Sequence, residues 1–272
     1  MNGSPALKTL GLIGLGAMGR PMAGHLLAKG FTVRSVAHRR REAIEALKVK
    51  GLIEAATPRQ AAEGADAVFL MVRDVPETEA VLQGPNGVLA GLAPGAAVVL
   101  MSTLTPGYCR GLAEPAGQKG IAVVDSPVSG LPPRAAAGTL TMMVGGNDAT
   151  IERLRPAFEA MGTINRCGGL GMGMVAKLAN NLVSLTTPVL VSEATRLAKA
   201  YGMDPALLLE IMSRSTADGF TVRNWPMVAG LWPEIRQWAV KDLRLFVEAA
   251  EAEGLEVPLG SAVSRHPWME EA

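Results

Sequence analysis

The 272-residue sequence contains few residues of the kinds that build disulfide scaffolds or metal centres. It has only two cysteines, Cys109 and Cys167, and three histidines. Two thiols cannot form a disulfide framework, and the scattered histidines show no spacing typical of metal ligands. We therefore exclude a disulfide-stabilised secreted module, and we expect free thiols in a reducing cytoplasm and no bound metal.

The sequence also lacks an excess of charge of one sign and a long N-terminal apolar run. It has 26 basic and 25 acidic residues, which gives a net charge of +1. This balance offers no electrostatic reason to expect nucleic acid or a membrane surface as a partner. The apolar run at residues 10–13 is too short to span a bilayer, and the polar residues before it do not resemble a secretory signal.

The order of elements in the first part of the chain predicts an α/β fold. Residues 9–13 are typical of a buried parallel strand, residues 18–28 have helical spacing, and residues 31–37 are typical of a second strand. This alternation continues to about residue 165 and favours an open, doubly wound parallel sheet of the Rossmann type. The other predicted elements are the helices 40–50 and 57–63 and the strands 67–72, 98–101, 122–125 and 140–144.

The second part of the chain shows no strand pattern and is predicted to be all-helical. A long helix is expected to begin near Met174 and to reach about residue 200, with Pro188 as a site for a kink. Residues 205–213 and 237–253 are also predicted to be helical. The predicted domains are residues 1–166 and residues 167–272, with the boundary near a glycine-rich segment.

A glycine-rich loop joins the first predicted strand to the first predicted helix. Its residues are Gly14, Leu15, Gly16, Ala17, Met18 and Gly19. In this context Gly14 permits a tight turn, Gly16 lets the backbone approach a pyrophosphate, and Gly19 lets the helix pack closely on the strand. The helix N-terminus offers N–H groups and a positive dipole end to phosphates. The loop therefore predicts dinucleotide binding.

The end of the second predicted strand bears on the choice of dinucleotide. Sites for NAD usually carry an acid there, which binds the ribose 2′-hydroxyl, but this strand ends at Ala37 and the first carboxylate is Glu42. The intervening residues are His38, Arg39, Arg40 and Arg41. Guanidinium groups bind phosphate in a bidentate fork, so the cluster favours NADP(H), with NAD(H) as the second option. At least one arginine is expected to belong instead to a solvated helix start.

Two further segments carry residues suited to catalysis. Asp125–Gly130 follows a predicted strand, and its small residues leave backbone N–H groups and the Ser129 hydroxyl available for an anion. Lys177 and Asn181 are four residues apart and share one face of the long predicted helix. The pair is either a proton donor with an orienting amide or an exposed lysine beside a packing asparagine, and spacing alone leaves both interpretations open.

Together these segments resemble the β-hydroxyacid dehydrogenase family of the 6-phosphogluconate dehydrogenase superfamily, which includes 3-hydroxyisobutyrate dehydrogenase and tartronate semialdehyde reductase. The glycine loop through Met22, residues 125–130 and residues 171–181 match the first three family motifs, in order. A fourth similarity is Lys241-Asp242-Leu243. The resemblance covers roughly residues 8–260.

The resemblance implies an NAD(P)-dependent oxidoreductase that interconverts a small 3-hydroxy acid, or a semialdehyde, and its carbonyl form. Lys177 would be the general acid in reduction and the general base in oxidation. Ser129 and the Gly130 amide would hold the substrate carboxylate, and Asn181 would orient the reacting oxygen. The other residues implied to line the cofactor cleft are Val72, Arg73, Thr103 and Lys241.

The sequence departs from the family pattern in three places. Leu131 stands where the family usually has glycine, and its side chain would narrow the acid pocket or tilt the anion-binding amides. Arg73 stands where the family often has proline, so both cofactor contact and solvent exposure are open. Residues 264–272 contain Pro267, which does not favour a long terminal helix, so the family's usual terminal helix is expected to be either lost or replaced by a short tail. A homo-oligomer, either dimer or tetramer, is expected because the family's helical domain supports dimers.

Two alternatives remain at this point. Imine reductases resemble the sequence at the glycine loop, but they usually lack a lysine at the position of Lys177. A non-catalytic NADP-binding module that works through protein partners is the second alternative. The presence of Lys177 and Asn181 favours an enzyme that acts on alcohols and carbonyls.

Overall fold

The computed structural model describes residues 7–38 and 41–266. Contacts within the chain divide it into two units, Met1–Lys177 and Leu178–Ala272. The strands of the first unit are β1 (Thr9–Ile13), β2 (Thr32–Val36), β3 (Ile53–Ala55), β4 (Ala67–Leu70), β5 (Ala97–Leu100), β6 (Ala122–Asp125), β7 (Val128–Ser129), β8 (Leu140–Gly145) and β9 (Gly162–Gly168).

These strands form one sheet in the order β3-β2-β1-β4-β5-β6-β8-β7, with β9 paired to β8. The six strands from β3 to β6 are all parallel. β4 and β5 lie in the middle of the sheet, and all their residues are buried. Their apolar sequences suit strands that are covered on both faces. The predicted Rossmann-type sheet is therefore confirmed.

Helices cover both faces of this sheet. They are α1 (Gly19–Ala28), α2 (Glu42–Lys48), α3 (Pro58–Ala62), α4 (Val75–Leu82), α5 (Val88–Gly91), α6 (Pro106–Gly117), α7 (Leu131–Ala136) and α8 (Asp148–Met161). Successive residues of a strand point to opposite faces, so Leu12 and Phe69 pack in one core while Ile13 and Leu70 pack in another. This division of the apolar residues holds the doubly wound arrangement together.

The second unit is helical throughout the residues that the structure describes, as predicted. Its elements are most of α9 (Met172–Ala200), then α10 (Pro205–Ser213), α11 (Phe220–Arg223), α12 (Trp225–Ala252) and α13 (Pro258–Ser264). Its core is built around the buried side chains of Val189, Trp232, Leu243 and Val263. α9 is long and apolar enough to pass a length and hydropathy test for a membrane span. That is weak evidence, because core helices of soluble proteins pass the same test.

Two boundaries differ from the sequence-based expectation. The predicted division at residues 166 and 167 falls inside β9, which pairs with β8 from Gly162 to Gly168. The first unit extends to Lys177, because the start of α9 is bonded to the end of β6. α12 begins at Trp225 rather than at residue 237, since Pro226 is accepted in its first turn and Pro233 inside it. α9 continues through Pro188 to Ala200, so the predicted long helix is confirmed.

Candidate active site

The glycine loop between β1 and α1 has the geometry that a dinucleotide site requires. Gly14 has φ +103°, which favours glycine, and a side chain there would collide with the Met71 carbonyl oxygen. A Cβ on Gly19 would collide with the Gly14 carbonyl oxygen, so this glycine permits close packing of α1 on β1. A Cβ on Gly16, by contrast, would meet nothing within 4 Å.

The start of α1 is also suited to an anion. Its N-cap residue is Met18, and no side chain caps the helix. The first turn of a helix has N–H groups without helical partners, so an uncapped start can bind a phosphate. The open space at Gly16 and the uncapped helix therefore fit the pyrophosphate of a nicotinamide dinucleotide.

Two neighbouring loops follow β4 and β5 at the same edge of the sheet. Because β1, β4 and β5 are adjacent and parallel, the loops after them meet at their carboxyl ends. Val72 and Thr103 are partly buried there. Ser102, which the sequence did not single out, donates a 2.7 Å hydrogen bond to the Val72 carbonyl and ties the two loops together.

Arg73 is mostly exposed and lies 3.8 Å from Glu77 in an ion pair. Its backbone N–H donates to the Glu77 carboxylate at 3.0 Å. The structure thus shows Arg73 engaged with the first turn of α4. Cofactor contact by Arg73 stays a prediction.

The basic cluster after β2 divides into two parts. Ala37 is partly buried and His38 is exposed, while Arg39 and Arg40 lie outside the described residues. Arg41 is held by Glu45 at 2.7 Å and by Glu54 at 2.9 Å. The Arg41 hydrogen bond holds the pKa of the Glu54 carboxyl below its usual range. Arg41 is therefore the arginine that belongs to the start of α2.

The turn after β7 carries the predicted acid-binding residues. Val128 and Ser129 pair with Met142 and Thr141 of β8, which fixes the Ser129 backbone while its side chain stays partly exposed. Gly130 follows with φ +140°.

Leu131 has φ +58° and is the only residue other than glycine with a positive φ in the described part of the chain. A side chain in this left-handed region costs about 1–2 kcal/mol. Leu131 is also 38% exposed, so burial recovers little of this cost. The position that departs from the family pattern is thus one where glycine would be favoured.

His25 is hydrogen-bonded to the C-terminal end of α7. Its Nε2 lies 3.1 Å from the Ala135 carbonyl and 3.0 Å from the Ala136 carbonyl. Carbonyl oxygens only accept, so Nε2 carries the hydrogen and donates. A Cβ on Gly138 would lie 3.0 Å from the same ring. His25 of α1 therefore links the helix after the glycine loop to the helix after the turn that is predicted to bind the acid, a link that sequence spacing did not reveal.

Asp125, the last residue of β6, is completely buried. Its Oδ1 accepts a hydrogen bond from Gly171 N at 2.7 Å, and its Oδ2 accepts one from Met174 N at 2.7 Å. Burial raises the pKa of the Asp125 carboxyl, and these backbone N–H groups oppose that rise. The start of α9 is therefore bonded to a protein carboxylate.

Lys177 and Asn181 occupy successive turns of α9, as their spacing predicted. Lys177 is partly buried. Asn181 is 6% exposed, and its Nδ2 donates to Asp242 Oδ2 at 2.6 Å. Asp242 is also paired with Lys241 at 2.9 Å. The structure thus joins Asn181 and Lys241 through Asp242, for which the sequence suggested no role.

The two thiols are poorly suited to nucleophilic chemistry. Cys109 is fully buried, and burial raises the pKa of its thiol. Burial also raises the pKa of the Cys167 thiol. A thiol must ionise to react, so neither cysteine has the properties of a catalytic nucleophile.

Comparison with known families matches two models that together span the chain. The model described as the NAD binding domain of 6-phosphogluconate dehydrogenase matches residues 9–176. The model described as the NAD-binding domain of NADP-dependent 3-hydroxyisobutyrate dehydrogenase matches residues 171–267. The chain belongs to the β-hydroxyacid dehydrogenase family. This family comprises NAD(P)-dependent dehydrogenases and reductases, so the predicted enzyme class is confirmed.

Relatives in the β-hydroxyacid dehydrogenase family are similar over nearly the whole chain. NAD-dependent L-serine dehydrogenase of Pseudomonas aeruginosa is 38% identical over 267 residues, which is 94% of this chain and 89% of the relative. 3-Sulfolactaldehyde reductase of Escherichia coli is 35% identical, covering 94% of this chain and 88% of the relative. The solved 3-hydroxyisobutyrate dehydrogenase of Mycobacterium tuberculosis, with L-serine, is 30% identical with a TM-score of 0.84, covering 95% and 91%.

Imine reductases share the fold with this family member. The imine reductase of Streptomyces aurantiacus has a TM-score of 0.69 at 23% identity, covering 94% of this chain and 92% of that chain. At this identity the likeness concerns the fold alone.

Proposed function

We propose that this chain is a dehydrogenase that interconverts a small 3-hydroxy acid and the corresponding semialdehyde with a nicotinamide cofactor, and that Lys177 is its general acid and base. The observation that carries the proposal is the placement of Lys177 on α9, one turn before the buried Asn181. An amine on a helix beside an anchored amide suits proton transfer to an oriented oxygen.

The cofactor, when bound, accepts or supplies the hydride. The residues of the chain bind the cofactor, bind and orient the substrate, and transfer a proton. The glycine loop and the uncapped start of α1 hold the pyrophosphate, and Ser129 with the Gly130 amide holds the substrate carboxylate. In reduction, the Lys177 ammonium group gives a proton to the carbonyl oxygen and becomes the neutral amine, and in oxidation the neutral amine takes the proton of the hydroxyl.

Asn181 orients the reacting oxygen of the substrate in this proposal. Its Nδ2 donates to Asp242, and its Oδ1 accepts from Asn180 at 3.1 Å, which sets the direction of the amide. An amide held in this way keeps one direction for its remaining N–H. Lys241 shares Asp242 with Asn181, and its contact with the cofactor stays a prediction from the family resemblance.

The substrate class follows from the relatives and the site together. The relatives are described as acting on L-serine, 3-sulfolactaldehyde and 3-hydroxyisobutyrate. These are short molecules in which an acidic group accompanies the reacting alcohol or aldehyde. A carboxylate at Ser129 and Gly130 with the oxygen toward Lys177 suits this class, and the particular acid depends on the turn that contains Leu131.

The cofactor preference proposed is NADP(H). β2 ends without an acid that would bind the 2′-hydroxyl of NAD, and Arg41 is already paired with Glu45 and Glu54. His38, Arg39 and Arg40 are the cluster members proposed to contact a 2′-phosphate. Comparing kcat/KM for NADPH and NADH tests this preference. Arg39→Asp should shift the ratio toward NADH, whereas Arg41→Ala should leave it unchanged.

A substrate panel with a lysine variant tests the main proposal. L-Serine, 3-hydroxyisobutyrate and 2-hydroxy-3-oxopropionate are offered with both cofactors, and absorbance of the reduced nicotinamide is followed. Loss of the proton-transfer group should lower kcat of Lys177→Ala by about 10²–10⁴-fold. Cofactor affinity should be unchanged. The matched control is Lys199→Ala, because Lys199 is exposed in the last turn of the same helix.

Unchanged kcat in Lys177→Ala would reject the lysine assignment. Turnover of cyclic imines with NADPH, without turnover of any hydroxy acid, would favour imine reduction. Absence of turnover with the whole panel would favour a binding module without catalysis. The homo-oligomer and the cytoplasmic location stay predictions beside this proposal.

A further inference from the structure

The start of α9 is held by a buried carboxylate of the first unit. Asp125 has no exposed surface, and both of its carboxylate oxygens accept 2.7 Å hydrogen bonds from α9 or its preceding turn. A carboxylate is costly to bury unless such bonds compensate it. The positive end of the helix dipole adds to that compensation.

The surrounding backbone leaves room for the Asp125 carboxylate and for little else. A Cβ on Gly145 would lie 2.5 Å from Asp125 Oδ1, and a Cβ on Gly173 would lie 2.8 Å from Oδ2. A Cβ on Gly173 would also collide with the Met143 carbonyl oxygen. β6, β8 and α9 therefore meet at a point where two glycines give the carboxylate its space.

Asp125 connects two segments to which the proposed function gives roles. Along the chain, Ser129 and Gly130 follow Asp125 by four and five residues, across the short strand β7. Through space, Asp125 bonds to Met174, and Lys177 follows Met174 by three residues, which is nearly one helical turn. All of these residues belong to the first unit.

We propose that Asp125 is a positioning residue that sets the location of the Lys177 amine relative to the acid-binding turn. A rotation or shift of the first turn of α9 would move Lys177, because the helix is rigid over one turn. Displacement of a catalytic group by about 1 Å can lower turnover about 10²-fold. This inference rests on the proposed role of Lys177.

The competing interpretation is that Asp125 is only a helix cap that stabilises the fold. Asn147 supplies the matched control, since its side chain accepts from Ala149 N at 3.0 Å and Thr150 N at 3.2 Å at the start of α8. Asn147→Ala removes a cap with two bonds from a helix that bears no proposed catalytic residue. It should lower the melting temperature while kcat stays unchanged.

The test uses the full chain with the hydroxy acid that the panel identifies. Asp125→Asn keeps the shape but replaces one acceptor oxygen with a donor that faces an N–H group. Its kcat should fall about 10²-fold, while the Kd for NADPH stays within about twofold. In the Lys177→Ala background, adding Asp125→Asn should produce no further fall in kcat, because there is no amine left to position.

The outcomes separate the inference from the proposed function. If Lys177→Ala keeps full activity, the proposed function fails and the inference fails with it. If Lys177→Ala is impaired but Asp125→Asn keeps its kcat, or lowers kcat equally in both backgrounds, only the inference is overturned. Asp125→Ser, which is smaller and still accepts, is the second variant. If both variants fail to fold by circular dichroism, Asp125 is structural and the inference is rejected.

Discussion

The starts of α1 and α9 have similar sequences but opposite arrangements. α1 follows Gly14-Leu15-Gly16-Ala17-Met18-Gly19, and α9 begins within Gly169-Leu170-Gly171-Met172-Gly173. No side chain caps α1, whereas Asp125 closes the start of α9 with two hydrogen bonds. One helix start is open to an anion from outside the protein, and the other is filled by an anion of the protein itself.

This difference shows that two glycine-rich loops can have different functions. At α1 the open space around Gly16 is available to a pyrophosphate, so this helix start is suited to binding a ligand. At α9, Gly173 and Gly145 make space for the buried Asp125 carboxylate, which holds the start of this helix in place. Substitutions that change one of these functions without the other test the difference between the two helix starts.

The largest effect is expected at Gly19. Gly19→Ala would place a methyl group against the Gly14 carbonyl oxygen, so α1 could no longer pack on β1. The free energy of unfolding should fall by about 3 kcal/mol, and NADPH binding should be lost. Denaturant unfolding and fluorescence titration with NADPH measure the two effects.

Gly24 provides the control for Gly19 on the same helix. A Cβ on Gly24 would meet only Leu47 Cδ2, at 3.9 Å. Gly24→Ala should therefore raise the free energy of unfolding by roughly 0.5–1 kcal/mol, since alanine favours helix over glycine. Equal destabilisation by both substitutions would contradict the packing argument.

An effect on binding alone is expected at Gly16. Gly16→Ala would meet no protein atom within 4 Å, so the free energy of unfolding should change by less than about 0.5 kcal/mol. The methyl group would occupy space that the pyrophosphate needs, and the Kd for NADPH should rise at least about tenfold, or about 1.4 kcal/mol. Gly169→Ala, also without a neighbour within 4 Å, is the control and should leave this Kd unchanged. A Kd that does not rise in Gly16→Ala would show that the pyrophosphate lies elsewhere.

A smaller effect than that at Gly19 is expected at Leu131, the first residue of α7. Leu131→Ala removes the side chain but keeps a Cβ at φ +58°, whereas Leu131→Gly removes both. Leu131→Gly should be more stable than Leu131→Ala by about 0.5–1 kcal/mol, because relief of 1–2 kcal/mol exceeds the entropy cost of glycine. Thermal unfolding of the two variants measures this difference.

The same pair tests whether the Leu131 side chain shapes the acid-binding turn. Both variants should relax the preference among the acids of the panel, measured as ratios of kcat/KM. If only Leu131→Gly changes these ratios, the backbone conformation is responsible rather than the side chain. If neither variant changes them, Leu131 has no part in substrate choice.

Much of the fold was predictable because its signals are local. β1, β4, β5 and β6 are largely buried, apolar runs. The predicted helix at residues 57–63 begins at a cap, because Thr57 Oγ1 accepts a hydrogen bond from Gln60 N at 3.2 Å. β3, β7 and β9 were missed: β3 and β7 have three and two residues, and β9 is largely exposed. Short or polar strands form because a neighbouring strand is present, and a single segment does not carry that information.

Local sequence patterns were enough to predict the Rossmann-type order of elements, the glycine loop, and the spacing of Lys177 and Asn181. These features depend on periodicity and on glycine at set positions in a short segment. Local patterns could not predict which glycine-rich helix start is open, which carboxylate fills the other, or that Asp242 holds Asn181, because these features depend on tertiary packing. Asp125 lies 46 residues before Gly171, and Asp242 lies 61 residues after Asn181. Contacts over such separations arise from the packing of the whole sheet or helical core, so no local pattern reports them.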